Sequence, residues 1–100
     1  MRHTRRNPSD AYSTGKRLGF EAAVAMYRLL DQGTVSLSRG ETRSDVVTSA
    51  AWVATREEHE EAAPYYDEPE RRGGRYTWED FEDGVQYGIN LAIDRDAATD

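Results

Sequence analysis

The first and last apolar segments of this chain carry the same pattern of small residues, and this repeat limits the fold more than any other feature. The shared pattern is Gly-xxx-Gly-xxx-Ala, and a shift of 69 positions superimposes its two copies. A glycine inside a helix costs roughly 1 kcal/mol relative to alanine, so four of them need a compensating role. Small residues four apart let a second backbone lie close to the helix axis. The repeat therefore predicts close helix packing, either of one helix on the other or of each on its copy in a dimer. Its members are Gly15, Gly19, Ala23, Gly84, Gly88 and Ala92.

Apolar residues recur every three or four positions in three segments, which predicts an all-α fold with helices at about 10–32, 45–62 and 78–95. The first and third helices carry the repeated face, so we expect them to pack against each other through it. A chain of 100 residues with 37% apolar residues can bury only a modest core. Homo-oligomerisation could supply the missing buried surface, and we expect a homo-oligomer.

Capping and breaking residues indicate where the predicted helices end. Gly33 lies where a left-handed C-cap would follow the first helix. Ser44 can cap the second helix, and Pro64 stops it. Thr77, with an acid three places later, can open the third helix through a variant of the capping box.

Three further segments complete the predicted organisation. Residues 1–9 are polar and basic, which predicts a flexible arm, and residues 97–100 are expected to form a disordered tail. Two prolines and two glycines in 63–76 predict a mobile loop. A single helical domain over 10–96 contains this loop.

The composition predicts a cytoplasmic protein without membrane contact. No stretch approaches the run of about 18 apolar residues that a spanning helix needs, and no apolar signal core follows the first residues. The absence of cysteine excludes disulfides and thiolate chemistry. Twelve arginines stand beside a single lysine, a bias typical of phage or high-GC bacterial genomes.

The charge is distributed unevenly along the chain. Residues 1–50 hold eight cations against five acids, and residues 51–100 hold five against fourteen. The net charge of −6 argues against nucleic acid as a partner. Two alternative hypotheses nevertheless remain open. The basic N-terminal arm could contact phosphates, or the acidic surface could mimic nucleic acid and inhibit a DNA-binding protein.

No group of residues has the spacing of a catalytic, metal or cofactor site. The densest cluster of potential ligands surrounds His59, but the residue three places before it is Arg56, where a carboxylate–histidine metal helix needs a glutamate. No serine lies in a Gly-x-Ser-x-Gly elbow, and Gly73-Gly74 is not followed by the lysine of a phosphate loop. The sequence therefore predicts a protein that is not an enzyme and holds no metal or cofactor.

We expect a small non-catalytic protein that acts by protein–protein interaction or as a regulatory accessory. A helical projection places several large apolar side chains outside the main stripes, where loops cover them or a partner does. A tyrosine pair in the predicted loop and two acids of the third helix are further candidates. The candidate partner-binding residues are Phe20, Val24, Trp52, Tyr65, Tyr66, Glu79 and Asp83.

Overall fold

The computed structural model of the chain describes residues 8–62 and 75–99, and every regular element in this part of the chain is helical. The first and last helices pack most extensively against each other. This arrangement confirms the predicted all-α fold of three helices. The elements are α1 (Pro8–Asp31), α2 (Arg43–Glu58), a 3-10 turn (Glu60–Ala62) and α3 (Arg75–Ala98).

Helix α1 begins two residues earlier than predicted and ends as predicted. Pro8 is its first residue, a position where the fixed φ of proline suits a helix and its missing N–H costs nothing. The predicted arm 1–9 is therefore helical at its last two positions, while residues 1–7 lie outside the described residues. At the other end Gly33 has φ +78. The Gly33 N–H donates to the Leu30 carbonyl and the Thr34 N–H donates to the Leu29 carbonyl, which is the Schellman arrangement.

The prediction that Ser44 caps α2 is wrong, because the cap is Thr42. Thr42 has extended backbone angles, and its hydroxyl accepts a hydrogen bond of 3.1 Å from the Asp45 N–H. This cap position lets the helix begin at Arg43 and leaves Ser44 inside the first turn.

Helix α2 ends at Glu58, earlier than the predicted residue 62. His59 adopts extended angles (φ −109, ψ 110), and the chain then tightens into the 3-10 turn. This turn places Ala62 in the core, where it is fully buried. The extended backbone of His59 interrupts the α-helical path, and the chain after it packs Ala62 into the core.

Helix α3 is longer than predicted at both ends. It begins at Arg75, so Thr77 lies within its first turn and is not its cap. It continues to Ala98, so the predicted tail 97–100 is helical at its first two positions. Of the predicted loop 63–76, residues 75 and 76 are helical, and residues 63–74 lie outside the described residues.

The glycines of the repeated face lie where α1 and α3 meet. A Cβ atom built on Gly15 would collide with the carbonyl oxygen of Phe81 and lie 3.0 Å from the Val85 amide nitrogen. A Cβ on Gly84 would collide in the same way with the carbonyl oxygen of Tyr12. The two backbones approach so closely that no larger residue fits at these positions without a shift.

This contact is close to two-fold symmetric. Tyr12 and Phe81, which meet Gly84 and Gly15, are themselves separated by the 69 positions of the repeat. The second glycine of each helix lies one turn further along. A Cβ atom built on it would meet the backbone of one residue in the other helix, and the two residues met in this way are again 69 positions apart. The sequence repeat is therefore a structural repeat, with an approximate two-fold axis between the helices.

Helices α1 and α3 are parallel, and α2 packs beside them in the opposite direction. The rings of Tyr12 and Tyr87 stack with centroids 6.0 Å apart, and further along both helices the Arg95 guanidinium lies 5.8 Å above the Phe20 ring. Arg43 at the start of α2 pairs with Asp96 near the end of α3. The chain therefore runs up, down and up.

A small apolar core lies between the three helices. Helix α2 contributes Val47 and Ala51 to it, with the hydroxyl-bearing Thr55 on the same stripe. The largest fully buried side chains come from all three helices. They are Phe81, Leu18, Ile89, Val47, Val85 and Thr55.

Candidate functional site

Two of the predicted partner-binding residues, Phe20 and Val24, lie on α1 and are only half-buried. Both pack against the core between α1 and α3. Arg95 of α3 covers the Phe20 ring. These side chains therefore contribute to helix packing and leave only part of their surface to solvent.

Trp52 joins α2 to α3. Its ring is half-buried, and its Nε1–H donates a hydrogen bond of 3.2 Å to Oε1 of Gln86. Gln86 in turn donates to Oδ1 of Asn90 at 3.0 Å. Because the polar end of the indole has a partner within the chain, Trp52 helps to hold α2 in place.

The remaining candidates are dispersed. Glu79 and Asp83 are exposed on α3, one turn apart. Tyr65 and Tyr66 lie outside the described residues. The structure therefore does not bring the five described candidates into one site.

A groove of about 870 Å³ runs between α1 and α2, and it is lined by none of the α3 residues whose side chains the structure describes. Two of its apolar side chains are well exposed, since 55% of the surface of Val53 and 37% of that of Leu29 is accessible to solvent. An apolar concavity of this size in solvent is typical of a binding surface. The apolar lining residues are Ala22, Ala25, Met26, Leu29, Val46, Ala50, Val53 and Ala54.

The groove exists because α2 has more apolar surface than its contact with α1 can cover. At 100° per residue, the apolar residues predicted for this helix spread over roughly 160°, which is wider than the stripe of about 100° that a surface helix usually buries. Val47 and Ala51 fill the core, while Val46, Ala50 and Val53 line the groove. The same residues recur at helical spacing in the sequence, so the width of this stripe is a signal that the sequence already carries.

The rim of the groove is acidic. Among the residues that the structure describes, four carboxylates and neither lysine nor arginine line it. Glu21 has a partner in Arg17 at 3.7 Å, an exposed pair that contributes little. Glu41 accepts a hydrogen bond from the Ser38 N–H through Oε1. The acidic residues are Glu21, Glu41, Asp45 and Glu58, and His59 stands at one end.

Arg43 fixes the end of α2 that bears Asp45. Its guanidinium donates two hydrogen bonds to Asp96, from Nη2 at 2.8 Å and from Nε at 3.2 Å, and pairs with Asp31 at 3.1 Å. It also lies 5.1 Å from the centroid of the Tyr27 ring. The hydrogen bond to Asp96 raises the pKa of Arg43, and desolvation raises the pKa of Tyr27. A cation is favourable here because the C-terminal ends of α1 and α3 are close.

A second concavity of about 440 Å³ lies on the surface of α1 and α3, without residues of α2. Its apolar side chains are Phe20 and Leu91, and its charged residues are the cations Lys16 and Arg17. The Lys16 ammonium lies 5.3 Å from the centroid of the Tyr87 ring. This basic concavity has the opposite charge to the groove but half its volume.

Within residues 8–62 and 75–99, no three His, Asp or Glu side chains converge as metal ligands would. The described helices include none with the length and hydropathy to cross a membrane. Comparisons with protein-family models, with curated proteins and with solved structures found no match. The groove is therefore the feature of the described residues that bears most directly on function.

Proposed function

We propose that this protein is a small non-catalytic interaction protein that binds another protein through the groove between α1 and α2. The observation that carries the proposal is the exposed apolar surface of this groove, where Val53 and Leu29 leave a large fraction of their side chains in water. Covering such a surface removes apolar area from solvent, which is the main driving force of protein association.

The regulatory or accessory role follows from the same feature. The walls of the groove are made mainly of apolar side chains, and its acids lie at the rim. A surface of this kind binds and positions a partner without chemistry of its own. We also propose the cytoplasmic location that the sequence predicts, and cell fractionation checks it.

Site-specific photo-crosslinking in the native cells tests the proposal. A photoreactive residue replaces Val53 in the groove or, as the matched control, exposed Asp83 on α3. We expect the chain to be linked to a second protein from position 53 and not from position 83.

Two outcomes would contradict this proposal. Crosslinks from position 83 alone would assign binding to the acidic face of α3, as the nucleic-acid mimic hypothesis requires. Equal background at both positions would show that the groove has no partner in the cell.

A further inference from the structure

The walls of the groove decide which kind of peptide segment it can hold. Among the described residues, all that line the groove except Gly40, Glu41 and His59 belong to α1 or α2, where backbone groups already pair within the helix. An added strand would find no free row of backbone donors and acceptors there. The occupant must bind through side chains, as an amphipathic helix does when its apolar face enters a groove between two helices.

The length of the groove sets the length of the occupant. From Asp45 to Glu58 the groove follows α2 over 13 residue steps, which is about 20 Å at the helical rise of 1.5 Å. A helix of about 13 residues, or nearly four turns, spans this distance.

The charge of the rim sets the chemistry of the occupant. Glu41 and Asp45 lie at one end of the groove, and Glu21 and Glu58 lie at the other, because α2 runs opposite to α1. A second copy of this chain brings a net charge of −6 to this acidic rim, which opposes docking. A segment with cations at both ends of its apolar face complements the rim.

We infer that the occupant is a basic amphipathic helix of a partner protein, about 13 residues long, with lysine or arginine flanking its apolar face at both ends. This inference rests on the proposed function and deepens it. The apolar face supplies affinity against Val53 and Leu29. The flanking cations set orientation and speed association with the rim.

Peptide binding to the full chain tests the inference. The probe is a labelled helical peptide of about 15 residues with a leucine–alanine face flanked by lysines, followed by fluorescence anisotropy. A peptide with glutamate in place of every lysine and a scrambled lysine peptide are the controls. We expect the lysine peptide to bind about tenfold more tightly than either control, and to weaken as NaCl rises from about 50 to about 500 mM.

Matched variants locate the binding. The double variant Asp45→Asn, Glu58→Gln removes one charge at each end of the groove, and it should weaken the lysine peptide roughly five- to tenfold. The control Glu79→Gln, Asp94→Asn removes two charges from exposed positions of α3 and should change affinity less than about twofold. Val53→Asp should abolish binding, and circular dichroism checks that it folds.

Several results would overturn the inference. The first is equal affinity for the lysine and glutamate peptides, and the second is an equal loss of affinity in both double variants. The third is binding of the lysine peptide only after residues 1–7 are deleted, because this result would assign the groove to the chain's own basic arm. A dimer in sedimentation that Val53→Asp dissociates would assign it to a second copy. If position 53 crosslinks a cellular protein but no lysine peptide binds, the proposed function stands and the inference about charge fails.

Discussion

At the scale of single residues, neighbours from another helix decide what a side chain does. Trp52 stands outside the apolar stripe of α2, where the sequence favoured burial slightly and left partner binding open. Gln86 of α3 settles its contact, because it accepts the indole hydrogen bond. Glu82 is a comparable case, since its half-buried carboxyl loses hydration between the helices. Neither environment can be derived from the local sequence.

Glu82 leads to a prediction about pH. Desolvation raises the pKa of its carboxyl above the ordinary value of 4.5, with Arg56 opposing and Asp83 adding to the shift. The ionised carboxylate therefore weakens the folded state, and this penalty grows as pH rises from 4.5 through the raised pKa. We expect Glu82→Gln to increase the free energy of unfolding at pH 7, with a gain that disappears as pH falls below 4.5.

Urea denaturation at a series of pH values measures this effect. Glu79→Gln, at an exposed position one turn earlier in α3, is the control and should show no such pH-dependent gain. A loss of stability in Glu82→Gln at pH 7 would mean that attraction to Arg56 outweighs the cost of burial.

At the scale of elements, the predicted type of each helix was correct and several boundaries were not. Helical periodicity depends on residues close in sequence, so α1, α2 and α3 could be predicted. The ends depend on competition between nearby caps and on packing. Thr42 caps α2 although Ser44 is an equally suitable residue type, and α2 ends at Glu58 because His59 adopts an extended conformation.

The cap of α2 provides a sharp comparison between two hydroxyl residues. Thr42→Ala removes the acceptor of the Asp45 N–H and should lower the free energy of unfolding by about 1 kcal/mol. Ser44→Ala lies inside the first turn, where alanine is the better helix former, and should be neutral or slightly stabilising. Thermal unfolding followed by circular dichroism measures both, and a larger loss in Ser44→Ala would contradict the assigned cap.

At the scale of the whole molecule, the parallel pair of α1 and α3 organises everything else. The two glycine faces meet within one chain, so they are occupied and do not form the surface offered to a partner. Helix α2 packs beside this pair and leaves its own second apolar stripe open as the groove. Any self-association would therefore use a surface other than the glycine face.

The close approach of α1 and α3 predicts the effect of one added methyl group. In Gly15→Ala the new Cβ would meet the backbone of Phe81, and overpacking of this kind costs about 1–3 kcal/mol. Higher helix propensity returns about 1 kcal/mol, so we expect a net loss of up to about 2 kcal/mol. Ser13→Ala on the exposed side of the same helix is the control and should not destabilise. Urea denaturation distinguishes the two, and equal stabilisation in both variants would rule out the close contact.

The sequence by itself determined the number and type of the helices, the small-residue face of α1 and α3, and the excess apolar width of α2. Each of these properties follows from the spacing of residues along one helix. Only the tertiary structure decided that the two glycine faces meet within one chain and in parallel. It also decided that Trp52 donates a hydrogen bond to α3, and that the uncovered stripe of α2 forms an acidic-rimmed groove with α1. The physical reason is that a helical pattern specifies which face must be covered, whereas the direction and identity of the covering element depend on the free energy of all the helices packed together.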